Sequence, residues 1–511
     1  MEINAKNLNI ETGASVLLLN DADAMKFNVH AGDRIEVSRG RNKAIAIVNI
    51  SSMVNPGTAG LTNELAKEID GKDGYIIDIE PAEQPKSLMA IKEKLSGRHL
   101  EYEEIYEIIK DIVGKKLDKN EITAFVVGLH AFGLDLDEAE YMSLSMIKTG
   151  ETLSFGKGRI YDKHSIGGIP GDKTTLLVVP IVASAGLTIP KTSSRAITSA
   201  AGTADRAEVL MPVSLTLSEM KKAVAKTNGC IVWGGSIHLA PADDIFIKIE
   251  YPFSIDPLLL PSIMSKKKSV GSTDMVLDVP IGEESKIKNV DEAKTLIKDF
   301  SMLGNRLGIR LQGAITYGVQ PIGYAIGAAA EAREALSVLE GKSTAEDLVD
   351  KATSIAGMLL EMSGKKNGKQ LALEILRSGK AEKKLREIIG EQGGDPNIKA
   401  SSIHIGKYSH TFFSKISGRV FHMDNTALAY AVRVAGAPLD KEAAIILNKK
   451  LNDPVKKGEA LFTLYARTAP LLKDAEAYIE HANPVLVSAG SSMLIERISS
   501  AKVPSMLMFE R

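Results

Sequence analysis

The sequence predicts a multidomain α/β protein. It reads as a small N-terminal β barrel, a helical lobe, an α/β lobe with a central, mostly parallel sheet, and a C-terminal α+β domain. Three observations predict this. At 511 residues the chain is too long for one hydrophobic core, so three or four domains are expected. The apolar pattern changes along the chain from short strand-like runs to helical three- and four-residue spacings. Between about 157 and 340, apolar strands are followed by Gly/Ser/Thr turns and then by helical stretches, the layout of a parallel sheet with crossover helices.

Residues 1–84 form the β-rich domain. The runs Val16–Leu19, Arg34–Val37, Ala44–Ile50 and Tyr75–Ile79 alternate with turn signals such as Ala31-Gly32-Asp33 and Gly71-Lys72-Asp73-Gly74. One short helix, capped at its start, is expected over Thr62–Ile69. No catalytic constellation is visible here, so a packing or assembly role is expected. Residues 85–160 form the helical lobe, with Ile105, Ile108, Ile109 and Ile112 and then Ile122, Phe125, Val126 and Leu129 at helical spacing. The α/β lobe spans 161–340. Asp256–Lys268 within it reads as helical and is expected to return to the helical lobe, as a segment near 256–270. A helical connection covers 341–400 and closes on the breaker cluster Gln392-Gly393-Gly394-Asp395-Pro396, read as a linker. Residues 401–511 form the C-terminal domain, with a helix at Ala427–Ala435 and a strand at Ala460–Tyr465.

Composition narrows the function. Hydrophobic residues make up 44% and charged residues 25%, which is ordinary globular usage, and the net charge of −1 offers no surface for nucleic acid. Anion binding must then be local. The single cysteine, Cys230, excludes an internal disulfide and a Cys-based zinc cluster, and it reads as a small buried hydrophobe rather than a catalytic thiol. The N-terminus lacks a signal-peptide layout, and no apolar run approaches the ~20 residues of a membrane span. A soluble cytoplasmic protein, with no membrane and no nucleic-acid partner, is expected.

Two stretches carry chemistry. Asp162–Thr175 reads Asp-Lys-His-Ser-Ile-Gly-Gly-Ile-Pro-Gly-Asp-Lys-Thr-Thr, and Leu176-Leu177-Val178-Val179 then opens a buried helix. Glycines let main-chain N–H groups converge on an anion, and a helix N-terminus adds free donors and a favourable dipole. The stretch is not a nucleotide-triphosphate P-loop, because Asp172 stands where that pattern needs glycine before the lysine. A plain surface turn is the competing explanation. The second stretch, Thr192–Asp205, follows a strand ending near Leu187–Pro190. Its hydroxyls, one arginine and small residues suit a phosphorylated or polyhydroxylated ligand; a Ser/Thr-rich turn with an N-cap is the simpler alternative.

Lys163-His164-Ser165 with its Gly-Gly and Gly-Asp pairs resembles the phosphate loop of the thymidine and pyrimidine-nucleoside phosphorylase family. Ser193-x-Arg195 with Gly202-Thr203-x-Asp205-x-x-Glu208, Leu239–Asp243 and Ser262–Lys267 are similar to further motifs of that family, in the same order. The likeness covers roughly 86–511. It is strongest to the archaeal-type AMP phosphorylases, which carry an extra N-terminal β domain. The resemblance implies two lobes closing over a cleft and phosphorolysis of an N-glycosidic bond. AMP and phosphate would give adenine and ribose 1,5-bisphosphate, with CMP and UMP as further substrates. It implies no metal and no organic cofactor, phosphate being a co-substrate, and a homodimer or larger homo-oligomer.

By that resemblance, Lys163, Ser165, Thr175, Ser193 and Thr203 bind the attacking phosphate, with Thr175 standing where serine is usual and Pro170 inserted. His164 lies near sugar and base. Gly168, the run Ser194, Arg195, Ala196, Ile197, Thr198 and Ser199, and Thr203 hold the nucleotide, Arg195 being the partner for its 5′-phosphate. Ser262 and Lys266 contact base or sugar, and Met264 packs on the base or fills the core. Lys286 or Lys288 supplies a further ligand. The arginine that reads a pyrimidine is absent from Phe246–Glu250, where Ile249 or Glu250 stands. Asp256 matches the acid that protonates the departing base, an N-cap before Pro257 being its simpler role. The runner-up is a phosphorylase of unphosphorylated pyrimidine nucleosides. A phosphoribosyltransferase of the anthranilate type would want acidic residues for magnesium-pyrophosphate, and a nucleotide-sensing assembly protein would not need Lys163, Asp256 and the full hydroxyl set.

Overall fold

The computed structural model describes residues 1–156, 158–196, 199–343 and 345–490. The chain packs as two compact units, Met1–Thr149 with Pro241–Leu259, and Gly150–Ala240 with the chain from Leu260 onward.

The first unit opens with a closed barrel. Its strands are β1 (Glu2–Asn7), β2 (Val16–Leu19), β3 (Arg34–Arg39), β4 (Asn42–Ile50), β5 (Thr58–Leu61) and β6 (Ile76–Pro81), in the order β1-β5-β2-β4-β3-β6. β1–β5 and β2–β4 pair in parallel and the others antiparallel. Alternate residues point inward, among them Ile3, Leu17, Leu19, Ile35, Val37, Ile77 and Ile79. The sequence reading missed β1, β5 and helix α1 (Asp21–Phe27), because Glu2-Ile3-Asn4-Ala5-Lys6-Asn7 and Thr58-Ala59-Gly60-Leu61 hold too few large apolar residues for a period-two signal. Helix α2 (Asn63–Ile69) lies where expected, but Thr62 does not cap it. The Thr62 hydroxyl donates to Ala14 O and accepts from Val16 N, so it ties down β2 instead.

The bundle follows with α3 (Ser87–Leu95), α4 (Tyr102–Val113), α5 (Lys119–Phe132) and α6 (Leu136–Thr149). Reciprocal capping starts α5 (Asp118 with Glu121), Glu104 accepts from Glu101 N at the start of α4, and the isoleucine face of α4 is buried. Arg34 pairs with Glu121 and Lys115 with Glu68, joining barrel to bundle.

The second unit holds a parallel sheet. β7 (Tyr161–Ser165), α7 (Thr174–Ser184), β8 (Ile189–Ser193), α8 (Thr203–Glu208), α9 (Leu217–Thr227) and β9 (Gly229–Trp233) come first. α10 (Pro241–Phe253) belongs to the first unit, where Phe246 packs on Phe125. Next come α11 (Leu259–Ser269), β10 (Asp274–Ile281), α12 (Val290–Arg306) and β11 (Arg310–Tyr317). β11-β10-β7 and β8-β9 are parallel throughout, and Tyr161 N donates to Thr188 O at 2.9 Å where β7 meets β8. α7 is buried from Thr174 to Ala183, so it is apolar on every face. β8 runs on to Ser193, so the hydroxyl-rich stretch begins inside the strand rather than after it. α11 starts at Leu259, not at Asp256. Pro257 disfavours helical backbone in the residue before it, which leaves Asp256 in the preceding turn.

The chain continues through β12 (Ala325–Ile326), α13 (Ala328–Leu339), α14 (Glu346–Met362), α15 (Gly368–Arg377) and α16 (Lys380–Glu391). Gln392 does not behave as linker. It is buried, accepts from Ile231 N at 2.9 Å and donates to Pro212 O and Ile231 O, which fixes the breaker cluster to β9. The C-terminal region comprises β13 (Tyr408–Phe413), β14 (Gly418–Met423), α17 (Asn425–Val434), β15 (Ala444–Leu447), β16 (Pro454–Val455), β17 (Ala460–Ala466), α18 (Ala469–Ala482) and β18 (Val485–Ser488). Its sheets run β12-β15-β17-β13 and β16-β14-β18, so β12, from the end of the α/β lobe, is built into the C-terminal sheet. Among the described residues, no helix is long and apolar enough to cross a membrane.

Candidate active site

The loops singled out by sequence leave the carboxyl ends of parallel strands. Residues 166–173 follow β7, 194–202 follow β8 and 282–289 follow β10. Ligands of open parallel sheets bind at this edge, because successive loops converge there.

The loop after β7 is anchored at both ends. Ile166 N donates to Asp278 O at 2.9 Å, fixing its start to β10. At its end, Asp172 Oδ1 accepts from Thr174 N at 3.2 Å and from the Thr174 hydroxyl, holding the first turn of α7. Lys351 places its ammonium 2.9 Å from Asp278 and 3.8 Å from Asp172. Burial would push the Asp172 carboxyl up, but the Lys351 and Lys163 ammonium groups and the Thr174 hydroxyl outweigh it and hold the pKa far below the usual range. Gly171 has φ +76°, and a Cβ there would lie 2.5 Å from Ile322 O, so only glycine passes. Lys173 points away from the loop, donating to Ile322 O at 2.6 Å and pairing with Glu334 at 2.5 Å. Thr175 is buried in the first turn of α7, and Ser165 Oγ accepts from Gly167 N at 3.4 Å.

Strand alternation sets Lys163 and Ser165 on one side of β7, Asp162 and His164 on the other. Lys163 is 2% exposed, and among the described residues no carboxylate comes within ion-pair distance of its ammonium. On the other side, Asp162 is shared by two lysines. Lys267 lies 2.8 Å from it and Lys191 3.6 Å. Burial and the Lys267 charge push Lys191 well below the ordinary lysine value. Burial, then Lys267, Lys191, Lys266 and Lys163, push His164 well below its ordinary value, so its imidazole is neutral at pH 7. The region carries an excess of buried cationic side chains, an environment that favours an anion.

The loop after β8 is held differently. Arg195 makes two parallel bonds to Glu208, at 2.7 and 2.6 Å, a third to Asp205 at 3.2 Å, and lies 4.9 Å over the Trp233 ring. Asp205 Oδ2 accepts from Ala196 N at 2.7 Å and Gly202 N at 2.8 Å, closing the loop on itself. Lys441 also pairs with Glu208. Arg195 is therefore charge-compensated by the loop's own acids. Ser193 Oγ donates to Val232 O at 3.1 Å, Ser194 is exposed, Ser199 Oγ donates to Ala201 O, and Thr203 opens α8. Ile197 and Thr198 lie outside the described residues.

The remaining expected residues fall in three places. Lys286 crosses the phosphate loop, its N 3.5 Å and Cγ 3.6 Å from where a Gly168 Cβ would stand, while Lys288 turns back to Glu283 O of its own loop. Ser262 and Lys266 are four apart and partly exposed on one face of α11, whereas Met264 is fully buried with its Cε toward Gly304 of α12. Asp256 lies in the first unit, as does the run from Phe246 to Glu250, whose Phe246, Ile249 and Glu250 are buried. Burial pushes the Cys230 thiol up, which suppresses its reactivity. His99, Asp135 and Glu138 approach metal-ligand spacing, but the Lys94 ammonium sits 2.8 Å from both Glu138 oxygens and supplies the charge a cation would bring.

Three family descriptions match in chain order. The helical bundle domain of the glycosyl transferase family matches 89–150, its a/b domain 157–382, and the pyrimidine nucleoside phosphorylase C-terminal domain 420–485. The chain is 47% identical to the AMP phosphorylase of Thermofilum pendens, covering 100% of both chains. It is 46% identical to that of Thermococcus sibiricus over 98% of this chain and 100% of the relative. To AMP phosphorylase 1 of Archaeoglobus fulgidus it is 44% identical over 96% and 98%. The crystal structure of anthranilate phosphoribosyltransferase from Thermus thermophilus covers 59% of this chain and 99% of its own, with a TM-score of 0.51 and 19% identity, a likeness of fold alone. With full-length identity of this order, the chain belongs to the AMP phosphorylase family, within the glycosyl transferase and pyrimidine nucleoside phosphorylase group.

Proposed function

We propose that the protein cleaves AMP with inorganic phosphate, giving adenine and ribose 1,5-bisphosphate. The observation that carries the reading is Lys163, a buried ammonium without a carboxylate partner among the described residues, at the head of the glycine loop. Burying such a charge is costly unless an anion completes it. Full-length relatives named AMP phosphorylase support the choice of substrate.

In this reading Lys163, Ser165, Thr175, Ser193 and Thr203 hold phosphate beneath C1′. A phosphate oxygen bonds to C1′ as the glycosidic C1′–N bond breaks, and its electron pair leaves with the base. The sugar acquires oxocarbenium character, which the phosphate charge stabilises. Asp256 gives its proton to the departing base, and neutral His164 orients the sugar. Gly168, Ser194, Ala196, Ser199, Thr203 and Lys286 receive the nucleotide, with Ile197 and Thr198 completing the run. Arg195 contributes through the loop that it holds to Glu208. Ser262 and Lys266 are assigned to base or sugar. A homo-oligomer and a cytoplasmic setting belong to the same reading.

Incubating the protein with phosphate and, separately, AMP, CMP, UMP, adenosine or thymidine tests it, with chromatography of base and sugar phosphate. Release of base from AMP is expected. Release from thymidine and from no nucleotide would overturn the reading in favour of a nucleoside phosphorylase. Asp256→Asn is expected to keep AMP binding and to lose about 100-fold or more in kcat. Wild-type turnover in that variant would remove Asp256 from the mechanism.

A further inference from the structure

Lys351 sits in the middle of α14, 7% exposed and about 180 positions beyond the phosphate loop in sequence. Burial alone would lower its pKa, but the Asp172 and Asp278 carboxylates outweigh it and raise the value, so the ammonium stays charged. Asp172 holds the end of the loop through its carboxylate, and Asp278, whose carboxylate pairs with Lys351, holds the start through its backbone oxygen. Asp278 offers its backbone oxygen to Ile166 N at 2.9 Å, and its side chain is oriented by the Thr316 hydroxyl at 2.5 Å. Asp172 holds the backbone and hydroxyl of Thr174, next to Thr175.

We propose that Lys351 is a positioning residue for phosphate attack, its ammonium clamping the start and the end of the 166–173 loop through Asp278 and Asp172. The proposal rests on the reading of that loop as the inorganic-phosphate site. The Lys351 charge is spent on two carboxylates, so it acts through the loop and not on the substrate. Without the ammonium, two buried carboxylates face each other. Asp172 then takes a proton, which weakens its hold on Thr174, or swings away from Asp278, which releases Thr174 and the first turn of α7. Lys351 is therefore selective in its effect. Phosphate binding depends on it, and nucleotide binding at the loop after β8 does not.

The test uses Lys351→Met, Lys351→Arg and Asp172→Asn, with KM for phosphate and for AMP measured separately and phosphate Kd measured by calorimetry on nucleotide-free protein. In Lys351→Met, phosphate KM and Kd are expected to rise about tenfold or more while AMP KM rises by no more than about threefold, since of the assigned nucleotide residues Gly168 alone lies in this loop. Lys351→Arg, which keeps the cation, is expected to recover phosphate affinity to within about threefold of wild type. Unchanged phosphate Kd in Lys351→Met, or equal rises for both substrates, overturns the proposal. If Lys351→Met does not fold, Asp172→Asn decides, with a phosphate-selective rise of about threefold or more expected and an unchanged phosphate Kd overturning it. A wild-type protein that binds phosphate but leaves AMP intact removes the AMP reading alone, and the clamp is still judged on phosphate Kd. A wild-type protein that binds no phosphate removes the loop assignment and the clamp with it.

Discussion

Two loops leave neighbouring parallel strands at one edge of the sheet, and they are held by opposite arrangements of charge. The loop after β7 is braced from behind by ion pairs of Lys351 and Lys173, and Lys163 at its head is left without a carboxylate partner among the described residues. The loop after β8 consumes its own cation, since Arg195 is taken up by Glu208 and Asp205. That second loop is also tied into the C-terminal region, through Lys441 on Glu208 and through Ala200 in its core. The difference teaches a division of labour. The first loop supplies net positive charge, which suits a small, fully ionised anion. The second, among its described residues, supplies backbone donors and hydroxyls around a cation that its own acids neutralise, which suits recognition of a larger ligand.

The largest expected effect comes from removing the charge. Lys163→Met should lower kcat/KM for phosphate by about 100- to 1,000-fold, the scale of losing a donor aimed at a reacting anion. Because the substitution breaks no ion pair and removes one of several charges that favour ionised Asp172, the melting temperature should fall only slightly. A mild kinetic loss, or a large drop in melting temperature, would make Lys163 a structural residue and dissolve the contrast. A smaller and opposite effect is expected at the second loop. Gly202 has an ordinary φ of −87°, so space and not backbone strain demands glycine there. A Cβ would lie 2.5 Å from Arg195 C and 2.6 Å from Ala196 N. Gly202→Ala should cost about 1–3 kcal/mol of overpacking at the loop, seen as a rise of about 10- to 100-fold in KM for AMP. Phosphate Kd, read by calorimetry, should rise by less, because Lys163, Ser165 and Thr175 lie outside this loop and only Ser193 and Thr203 flank it. If both substrates weaken equally, the two loops are one mechanical unit.

These contrasts were only partly legible in the sequence. Local signals carried far: the glycine turns, the hydroxyl-rich run and the helical spacing of Ile105 to Ile112 are read from neighbours in the chain. Asp205 and Glu208 could be quoted from a motif, but their hold on Arg195 depends on how the loop folds back, which spacing does not encode. The motif alone suggests a phosphate partner for Arg195 and gives no sign of these contacts. Lys351 had no signal at all. A lone lysine in an amphipathic helix reads as solvated, and only the register of α14 against β7 and β10 turns it inward. Thr62 and Gln392 show the same limit, since each looks like a local cap or breaker and is instead spent on a distant backbone. Asp256, three residues before its helix, shows how proline moves a boundary that periodicity places too early.

The mildest perturbation sharpens the comparison by titration. His164 is depressed well below its ordinary value by burial and by the surrounding lysines, whereas in the unfolded chain it titrates near pH 6.5. Above pH 6.5 it is neutral in both states and leaves stability independent of pH. As pH falls below 6.5, the unfolded chain gains a proton that the folded site refuses, so stability declines, by at most about 1.4 kcal/mol per pH unit, until the folded imidazole itself titrates. Thermal melts from pH 7.5 to 5.5 should show this slope in wild type and a shallower one in His164→Gln. Inorganic phosphate held by Lys163 would offset part of the lysine charge that depresses His164 and so favour its charged form, so phosphate should flatten the wild-type slope and leave that of His164→Gln unchanged. AMP alone, received by the charge-compensated loop after β8, should flatten it less. Equal flattening by both ligands would mean that the second loop also delivers negative charge to the lysine cluster, and the division of labour between the loops would fail.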